Sequence, residues 1–337
     1  MLGNDPYSLR SSQPGDEEQL LGLFNKVFRG NGSPEPPRRR EFWSWRYADS
    51  GPQENHSSVA VRCDDGSIIG HVGGVCLATW CRGEVRPTSV SVDNMIDPER
   101  RRGLQRVGVF ARLVNHWVDS YFGCDRDFIA WGFPTTSNFR IGQKFSRYSL
   151  VRPINVLVAR DLGRLRRPVK GVESRRAAAF GPEYDALWER CRETIEMGVV
   201  RSSAYLGWRY VQHPEHRYRV HEARDSRSGE LRGFAVTRSG GLAPDVVQIM
   251  DWLVEEGDGE AEQCLLCACA DEAIEADAGG LIAWIPEGLP GFARFQRRGF
   301  YVEPTPIIMV ARSWDRRISV VDVRQRFYAT LGDIDYY

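Results

Sequence analysis

Residues 100–103, three arginines followed by a glycine, are the part of this chain best suited to hold a phosphate-bearing ligand. They come after a strand-like stretch that ends at Ile96. An apolar period near 3.6 follows them and predicts a helix to about Phe122. A turn between a strand and a helix directs backbone N–H groups and the positive end of the helix dipole at an anion. Guanidinium groups add formal charge, so the expected anion is a pyrophosphate.

The elements around this turn can be placed from the sequence. Pro98 disfavours a helical Asp97, so the first strand ends before the basic turn begins. A second strand is predicted at Phe128–Trp131, and a polar turn that contains Asn138 follows it. A strand, a basic turn, a helix and a second strand therefore follow one another.

This arrangement resembles the acetyl-coenzyme A loop of the GCN5-related N-acetyltransferase (GNAT) superfamily, whose pattern is Arg/Gln-x-x-Gly-x-Gly/Ala. Arg100 and Gly103 fill the first two places, and Gln105 stands where glycine or alanine is usual. The resemblance implies an α/β fold and acetyl-CoA, or another acyl-CoA, as co-substrate. The cofactor-binding residues that it implies are Met95, Ile96, Arg100, Arg101, Arg102, Gly103, Leu104, Gln105, Arg106 and Asn138.

The same resemblance implies direct attack of an amine on the thioester, with a backbone N–H near Asp93 polarising its carbonyl. Asp93 is the expected general base, and Asn94 is an alternative polar neighbour. The tyrosine that usually serves as general acid is missing, because Gly142 stands at about its position. Tyr148, six residues further on, is the expected substitute.

Each of these roles has a structural alternative. Asp251 follows a strand in the second half as Asp93 does in the first, and in the alternative interpretation both aspartates are architectural residues. Tyr148 would be a core tyrosine, and Asn138 a plain helix N-cap. The basic turn would be an ordinary solvated surface.

The second half of the chain repeats the first. Trp208-Arg209-Tyr210 matches Trp45-Arg46-Tyr47 at an offset of 208 − 45 = 163, and later matches keep their order at offsets that shrink to 153 and 152. A duplication with small deletions produces this pattern. The two Trp-Arg-Tyr clusters are predicted to be a packing device in which arginine stacks on aromatic rings.

We therefore predict two tandem GNAT-like domains, each a mixed, mostly antiparallel sheet flanked by helices. The first covers 1–160 and binds acetyl-CoA, 161–175 is a linker, 176–315 is a degenerate second copy, and 316–337 is a surface tail. The second copy has an acidic turn at residues 255–260 in place of the arginines. Because this turn would repel a pyrophosphate, the second copy is not expected to bind coenzyme A in the same way.

Composition narrows the class of protein further. The 45 Lys and Arg balance 45 Asp and Glu, so no global field favours nucleic acid or a membrane surface. Scattered cysteines and the lack of a long apolar run are typical of a soluble, cytoplasmic protein. The cysteines at 264, 267 and 269 fall on one predicted helix, with no second ligand pair beside them. No metal is therefore expected. The expected oligomeric state is a monomer or a homodimer.

The leading hypothesis is an acyl-CoA-dependent N-acyltransferase, most simply an N-acetyltransferase, that acts on a primary amine of a small molecule. An aminoacyl transferase like the Fem proteins is an alternative, against which the neutral net charge argues. A coenzyme A-binding pseudoenzyme or partner protein is a third hypothesis, which the missing tyrosine and the altered glycine pattern favour.

Overall fold

The computed structural model describes residues 6–30, 36–48, 54–100 and 108–334. The chain divides into two compact units. Unit 1 comprises residues 1–78, 86–150 and 310–320, and unit 2 comprises residues 79–85, 151–309 and 321–337. Each unit is therefore assembled from separate segments, whereas the sequence predicted consecutive domains with boundaries near residues 160 and 176.

Strands and helices alternate along the chain as the periodicities predicted. The elements up to residue 145 are β1 (Tyr7–Ser11), α1 (Glu17–Phe28), α2 (Arg40–Trp43), β2 (Glu54–Asn55), β3 (Ser58–Arg62), β4 (Ile68–Cys81), β5 (Glu84–Ile96), α3 (Val109–Tyr121), β6 (Ile129–Gly132) and α4 (Thr136–Phe145). Those that follow are β7 (Ser149–Ala159), α5 (Leu162–Leu165), β8 (Val172–Ala177), α6 (Pro182–Cys191), β9 (Met197–Val199), α7 (Ser203–Leu206), β10 (Arg219–Asp225), β11 (Leu231–Ser239), β12 (Val247–Val254), α8 (Gly259–Glu275), β13 (Leu281–Ala283), α9 (Pro290–Arg298), β14 (Tyr301–Ser313), α10 (Val320–Arg326) and β15 (Phe327–Tyr328).

The sheet of unit 1 has the order β1–β3–β4–β5–β6. Strands β1 and β3 are antiparallel partners, as are β3 and β4, and β5 and β6 are parallel. The turn residues Asp64-Asp65-Gly66 between two apolar segments predict a hairpin, and β3 and β4 form it. Its turn places Gly66 at φ +72°, a left-handed conformation that glycine adopts without strain. Beyond β6, the sheet is completed by residues 310–313 of β14, which run antiparallel to it.

The sheet of unit 2 has the order β8–β10–β11–β12–β13–β7. Again one central pair, β12 and β13, is parallel, and its neighbours are antiparallel. Helix α8 packs against this sheet through small and apolar side chains such as Ala261, Leu265 and Cys269, all of which are buried. Each unit is therefore a mixed, mostly antiparallel sheet flanked by helices, which confirms the predicted fold class.

Helix α3 buries a slightly different face from the predicted one. Its buried residues are Ala111, Leu113, Val114 and Trp117. Phe110 and Val118, which belong to the apolar period that predicts this helix, are only partly buried. Trp117 extends this face because its ring packs on Phe122 and its indole N–H donates to the His56 carbonyl.

Two segments that the sequence assigned to the exterior are built into unit 2. The predicted linker 161–175 contains α5, whose Leu165 is buried in the core of unit 2, and most of β8. The predicted surface tail forms α10, β15 and a 3-10 turn, in which Leu331 and Ile334 are fully buried. Among the described residues, no helix combines the length and the apolar character that crossing a bilayer requires.

Candidate functional site

The basic turn itself lies outside the described residues. This applies to Arg101, Arg102, Gly103, Leu104, Gln105 and Arg106, so their cofactor-binding roles stay predictions. The flanks of the turn are described. Arg100 ends a 3-10 turn that follows β5, and Lys26 Nζ donates to Asp97 (3.0 Å) and Glu99 (3.1 Å) just before it. The strand end is therefore anchored where the basic turn begins.

Within the described ranges, no side chain caps the N-terminus of α3. Its N-cap residue is Gly108, which is extended and has no side chain with which to accept from the first-turn N–H groups. The first turn of α3 also contains no acidic residue, so within the helix itself no carboxylate offsets the positive end of the dipole. This is the electrostatic arrangement that the predicted anion site requires.

The corresponding helix of unit 2 is capped from within. Asp258 accepts from the Ala261 N–H at 2.9 Å and is held by Arg232 at 2.7 Å, and Glu260 pairs with the same guanidinium. The acidic turn is therefore partly neutralised by arginine, which weakens the simple repulsion argument made from sequence. The internal cap provides a second reason against a phosphate there, because it already occupies a helix N–H group.

In unit 1 the parallel pairing of β5 with β6 ends before β5 itself ends. Ser89 pairs with Ala130 and Ser91 with Gly132, where β6 stops, while β5 continues to Ile96. In a GNAT fold, a strand edge of this kind is where a pantetheine arm would pair, as the resemblance implies. The side chains of Met95 and Ile96 are buried, so their predicted cofactor contacts would have to be made by the main chain.

Asp93 lies on this continuing segment, enclosed by cations. Its carboxylate accepts from Arg46 Nη1 (3.1 Å), Arg38 Nη1 (3.4 Å) and the Tyr47 hydroxyl (2.8 Å), and its side chain is 6% exposed. Burial alone would raise the pKa of Asp93, but the guanidinium groups of Arg46 and Arg38 outweigh it and hold the pKa below its usual range. A carboxylate so held is a poor proton acceptor.

Asp251 of unit 2 has the same kind of surroundings. It accepts from Arg201 Nε at 3.1 Å and from the Tyr210 hydroxyl at 2.9 Å. Tyr210 matches Tyr47 at the offset of 163, and Arg201 matches Arg38 at the same offset. Because both copies build a Tyr–Asp–Arg cluster, the geometry favours the architectural interpretation of Asp93 over the catalytic one.

The two clusters differ in their numbers of arginines and aspartates. Asp93 contacts two guanidinium groups, whereas Arg201 contacts two carboxylates, Asp251 and Asp333. Burial and the Asp333 carboxylate raise the pKa of Asp251 despite its contact with Arg201. The two aspartates therefore share a position in the fold but not an ionisation behaviour.

The Trp-Arg-Tyr clusters stack as predicted. Each lies in a π-helical turn, Ser44–Ala48 or Gly207–Val211. The Arg46 guanidinium lies 4.6 Å from the centre of the Phe42 ring, and that of Arg209 lies 5.5 Å from the centre of the Tyr210 ring. Arg46 has the additional role of pairing with Asp93, which the motif alone did not indicate.

Asn94 and Asn138 have different environments. The Asn94 amide donates to Ser91 Oγ at 2.9 Å, and within the described part of the chain its buried Oδ1 finds no hydrogen-bond partner. The Asn138 side chain is exposed. Asn138 is not the N-cap of α4, as had been considered, because the cap is Thr135, whose hydroxyl accepts from the Asn138 N–H.

Tyr148 folds back over α4. Its hydroxyl donates to the carbonyls of Asn138 (3.0 Å) and Phe139 (3.3 Å), and its ring stacks on Phe139. A Cβ on Gly142 would lie 1.9 Å from the Tyr148 oxygen. The missing tyrosine at Gly142 and the presence of Tyr148 are therefore linked, since the glycine makes the space that this ring occupies.

We expect Gly142→Ala to destabilise the protein, although alanine is the better helix former by about 1 kcal/mol. The new methyl would collide with the Tyr148 ring, and overpacking of this kind costs about 1–3 kcal/mol. Chemical denaturation would measure the change. Gly22→Ala in α1, where a Cβ meets nothing within 4 Å, is the matched control and should be neutral or stabilising.

A double-mutant cycle would test the contact itself. In a Tyr148→Ala background the penalty of Gly142→Ala should disappear, because the colliding ring is absent. An equal penalty in both backgrounds would show that Tyr148 does not lie over Gly142.

The C-terminal segment covers the matching strand edge in unit 2. The β12–β13 ladder ends at Ile249–Ala283, and β12 continues to Val254. On that continuation the Tyr328 hydroxyl donates to the Trp252 carbonyl, and Thr330 Oγ1 donates to Asp251 at 3.2 Å. A Cβ on Gly332 would lie 2.9 Å from the Met250 carbonyl. The edge that a pantetheine would need in this copy is thus occupied by the chain itself.

The other singled-out residues are structural. Cys264 and Cys269 lie on α8, as predicted, and both are buried. Burial raises the pKa of Cys264 to about 11 and holds that of Cys269 well above its usual value, so neither is a ready nucleophile. His71 is fully buried with Nδ1 3.0 Å from the Asp93 carbonyl, and burial lowers its pKa.

Sequence reasoning missed the cations that enclose Asp93. The Gly-, Pro- and Arg-rich composition of residues 30–40 predicts a loop and nothing more about Arg38. However, Arg38 matches Arg201 at the same offset of 163 as the Trp-Arg-Tyr clusters. Extending the repeat alignment by seven residues would have found it. For His56, Cys76 and Asp127, which lie close together in unit 1, the repeat alignment gives no comparable indication.

Comparisons with known proteins identify the fold. No protein-family model matches the sequence, and no curated protein matches it significantly. Among solved structures, a GCN5-related N-acetyltransferase from Anabaena variabilis superposes with a TM-score of 0.65 at 12% identity, over 92% of this chain and 73% of that one. A tandem GNAT protein from the clavulanic acid biosynthesis pathway gives a TM-score of 0.56 at 16% identity, over 92% and 99%. N-myristoyltransferase from Saccharomyces cerevisiae gives 0.56 at 10% identity, over 93% and 80%. The chain therefore has the tandem GNAT fold.

Proposed function

We propose that this protein is an acyl-CoA-dependent N-acyltransferase, most simply an N-acetyltransferase, that acylates a primary amine of a small molecule. Unit 1 carries the cofactor and unit 2 does not. The observation that supports this assignment best is the edge of β5 at residues 92–96, which continues beyond the ladder with β6. Further along the chain, α3 begins at a glycine N-cap, and no described side chain caps it. Unit 2 has a capped helix and a covered edge in the same places.

The chemistry assigned to unit 1 is direct attack of the amine nitrogen on the thioester carbonyl carbon. The C–N bond forms, the C–S bond breaks, and coenzyme A leaves as its thiol, which accounts for the proton lost from nitrogen. The arginines of the basic turn and the N–H groups around Gly103 hold the diphosphate. Main-chain N–H groups near Asn94 polarise the thioester carbonyl. The role proposed for Asn94 Oδ1 is to accept from the incoming amine, and its support is that this buried atom has no hydrogen-bond partner among the described residues.

Acetyl-CoA binding tests where the cofactor lies. Isothermal titration of the wild type should give one acetyl-CoA per chain. Gly103→Glu should weaken binding roughly 100- to 1000-fold, because a like charge about 4 Å from a phosphate costs on the order of 4 kcal/mol. Gly259→Glu at the start of α8 is the matched control, since a Cβ there meets only the end of Arg298 and the variant should bind like the wild type.

The outcomes separate three cases. Equal binding by the wild type and Gly103→Glu would overturn the assignment of the basic turn. A loss on Gly259→Glu alone would move the cofactor to unit 2. Absence of acetyl-CoA binding by the wild type would overturn the proposed function as a whole.

A coenzyme A-binding protein without transferase activity is the second candidate. The enclosed Asp93 carboxylate and the engagement of the Tyr148 hydroxyl with helix carbonyls favour it, because neither group is poised for proton transfer. Release of the coenzyme A thiol in the presence of a panel of primary amines, followed with a thiol reagent, distinguishes the two. Tight acetyl-CoA binding without amine-dependent thiol release would establish this second function.

A further inference from the structure

His56, Cys76 and Asp127 of unit 1 bring an imidazole, a thiol and a carboxylate together. The His56 Nδ1 lies 2.6 Å from Asp127 Oδ2, and the Cys76 Sγ lies 3.6 Å from Asp127 Oδ1. One donor atom from each of the three residues lies within 4.8 Å of the other two. These three donor types are the ones that Zn²⁺ uses in proteins. We propose that this cluster is a zinc site.

The cluster is held by the sheet rather than by flexible side chains. Cys76 lies on β4 opposite Glu54 of β2, and the His56 N–H donates to the Gly74 carbonyl on β4 at 2.9 Å. Asp127 is fixed just before β6, where its N–H donates to the Tyr121 carbonyl and its carbonyl accepts from Gly123. The His56 ring is stacked on Tyr121 at 4.7 Å. A site preformed by backbone pairing loses little entropy when an ion binds.

The buried negative charge of Asp127 favours the binding of a cation at this cluster. Its carboxylate is 1% exposed, and within the described part of the chain its only ion-pair partner is His56. A buried carboxylate needs a countercharge or a metal. A divalent ion balances the site, because the Asp127 carboxylate and a Cys76 thiolate together supply two negative charges. The Ser89 hydroxyl, which donates to Asp127 Oδ2, would orient that ligand.

The second copy shows that the fold does not require this cluster. The offset of 163 places Arg219 opposite His56 and Ser239 opposite Cys76, and the offset of 153 places Gly280 opposite Asp127. Unit 2 forms the same type of sheet without any of the three ligands. The residues therefore serve a purpose particular to unit 1.

Three protein ligands would leave the fourth position of a tetrahedral Zn²⁺ to water. Three protein ligands with a fourth open position are usual where Zn²⁺ is not purely structural. The His56 side chain is 16% exposed, so the site has a route to solvent. The cluster lies before β6, near the start of the β5–β6 ladder, whereas the proposed cofactor edge lies beyond the end of that ladder. The inference is therefore independent of the proposed acyl transfer.

Metal analysis of the full chain tests the proposal. After dialysis against Zn²⁺ and removal of excess, the wild type should retain one zinc ion per chain. With Co²⁺ in its place, a thiolate-to-metal absorption band should appear in the near ultraviolet. Cys76→Ser and Asp127→Asn should weaken zinc binding by more than the roughly 10–100-fold that the loss of a hydrogen bond to a ligand costs. Cys124→Ser, which alters an exposed cysteine, is the matched control and should bind like the wild type.

Measurements on the wild type can overturn the proposal even if the variants fail to fold. The proposal is wrong if the wild type retains no zinc, or if its Co²⁺ complex lacks the thiolate band. In folded wild type, zinc should also protect Cys76 from alkylation while Cys63 and Cys124, both exposed, continue to react. Equal alkylation of Cys76 with and without zinc would contradict its role as a ligand.

Discussion

Arg201→Met is expected to lower the free energy of unfolding by about 3–5 kcal/mol, because it removes the cation that two buried carboxylates share. Arg201, Asp251 and Asp333 are joined by contacts of 3.1 and 2.5 Å, and none of the three side chains has measurable solvent exposure. Methionine matches the length of the arginine stem but leaves the carboxylates without that partner. Denaturant unfolding followed by far-ultraviolet circular dichroism would measure the loss.

The expected pH dependence identifies the cause. In Arg201→Met the two buried carboxylates would have raised pKa values. An acid whose folded pKa is raised loses stability as pH rises from its unfolded pKa through the folded one. The variant should therefore lose stability from about pH 4 toward neutral pH, relative to the wild type.

The matched control is Arg176→Met. The Arg176–Glu275 pair has side chains that are 52% and 65% exposed, so its loss should cost about 0–1 kcal/mol. Similar losses for both variants would mean that the Arg201 cluster is not buried as described. Because Asp333 belongs to the C-terminal segment, a large loss for Arg201→Met would also show how firmly that segment is held over β12.

Signals that are local or periodic in sequence predicted most of the fold. The turn at Gly66, the helix at residues 109–121 and the repeated Trp-Arg-Tyr clusters all depend on neighbouring residues or on a fixed offset. The tandem architecture followed from these signals, because two copies of one pattern predict two copies of one unit.

What could not be predicted depends on contacts between distant segments. Residues 310–313 complete the sheet of unit 1, and β7 pairs with β13 in unit 2, although each strand follows the helices of the other copy in sequence. Hydropathy predicts that these segments are strands but not which neighbour they join. The burial of Ile334 has the same explanation, since a short apolar stretch at a chain end does not reveal the surface that it covers.

The candidate site was predicted unevenly for the same reason. The position of Asp93 at the end of a strand was readable, but its environment depends on Arg38 and Arg46, which lie 55 and 47 residues earlier. A buried carboxylate without partners and one enclosed by two guanidinium groups look identical in sequence. Burial raises the pKa of the first above its usual value, whereas the guanidinium groups lower the pKa of the second.

Asp93→Asn distinguishes a base from an architectural residue. If Asp93 is architectural, the variant should lose about 3–5 kcal/mol of folding free energy, since it removes the buried anion that Arg38 and Arg46 both contact. The pKa of Asp93 is lowered in the fold, so this stabilisation is present above the unfolded pKa and is lost as pH falls through the folded one. The difference between wild type and variant should therefore be largest near neutral pH and shrink in acid.

Asp251→Asn is the natural comparison, because it makes the same change at the matching position of unit 2. Arg201 would keep Asp333 as its carboxylate partner, and the amide oxygen can still accept from Tyr210. Its cost should be nearer about 1–3 kcal/mol, the price of one imperfect buried hydrogen bond. The expected order, Asp93→Asn well above Asp251→Asn, follows from the different numbers of arginines and aspartates in the two clusters. If Asp93→Asn instead stays as stable as the wild type, binds acetyl-CoA normally and loses amine-dependent thiol release, Asp93 is the general base and the enclosed carboxylate must open during turnover.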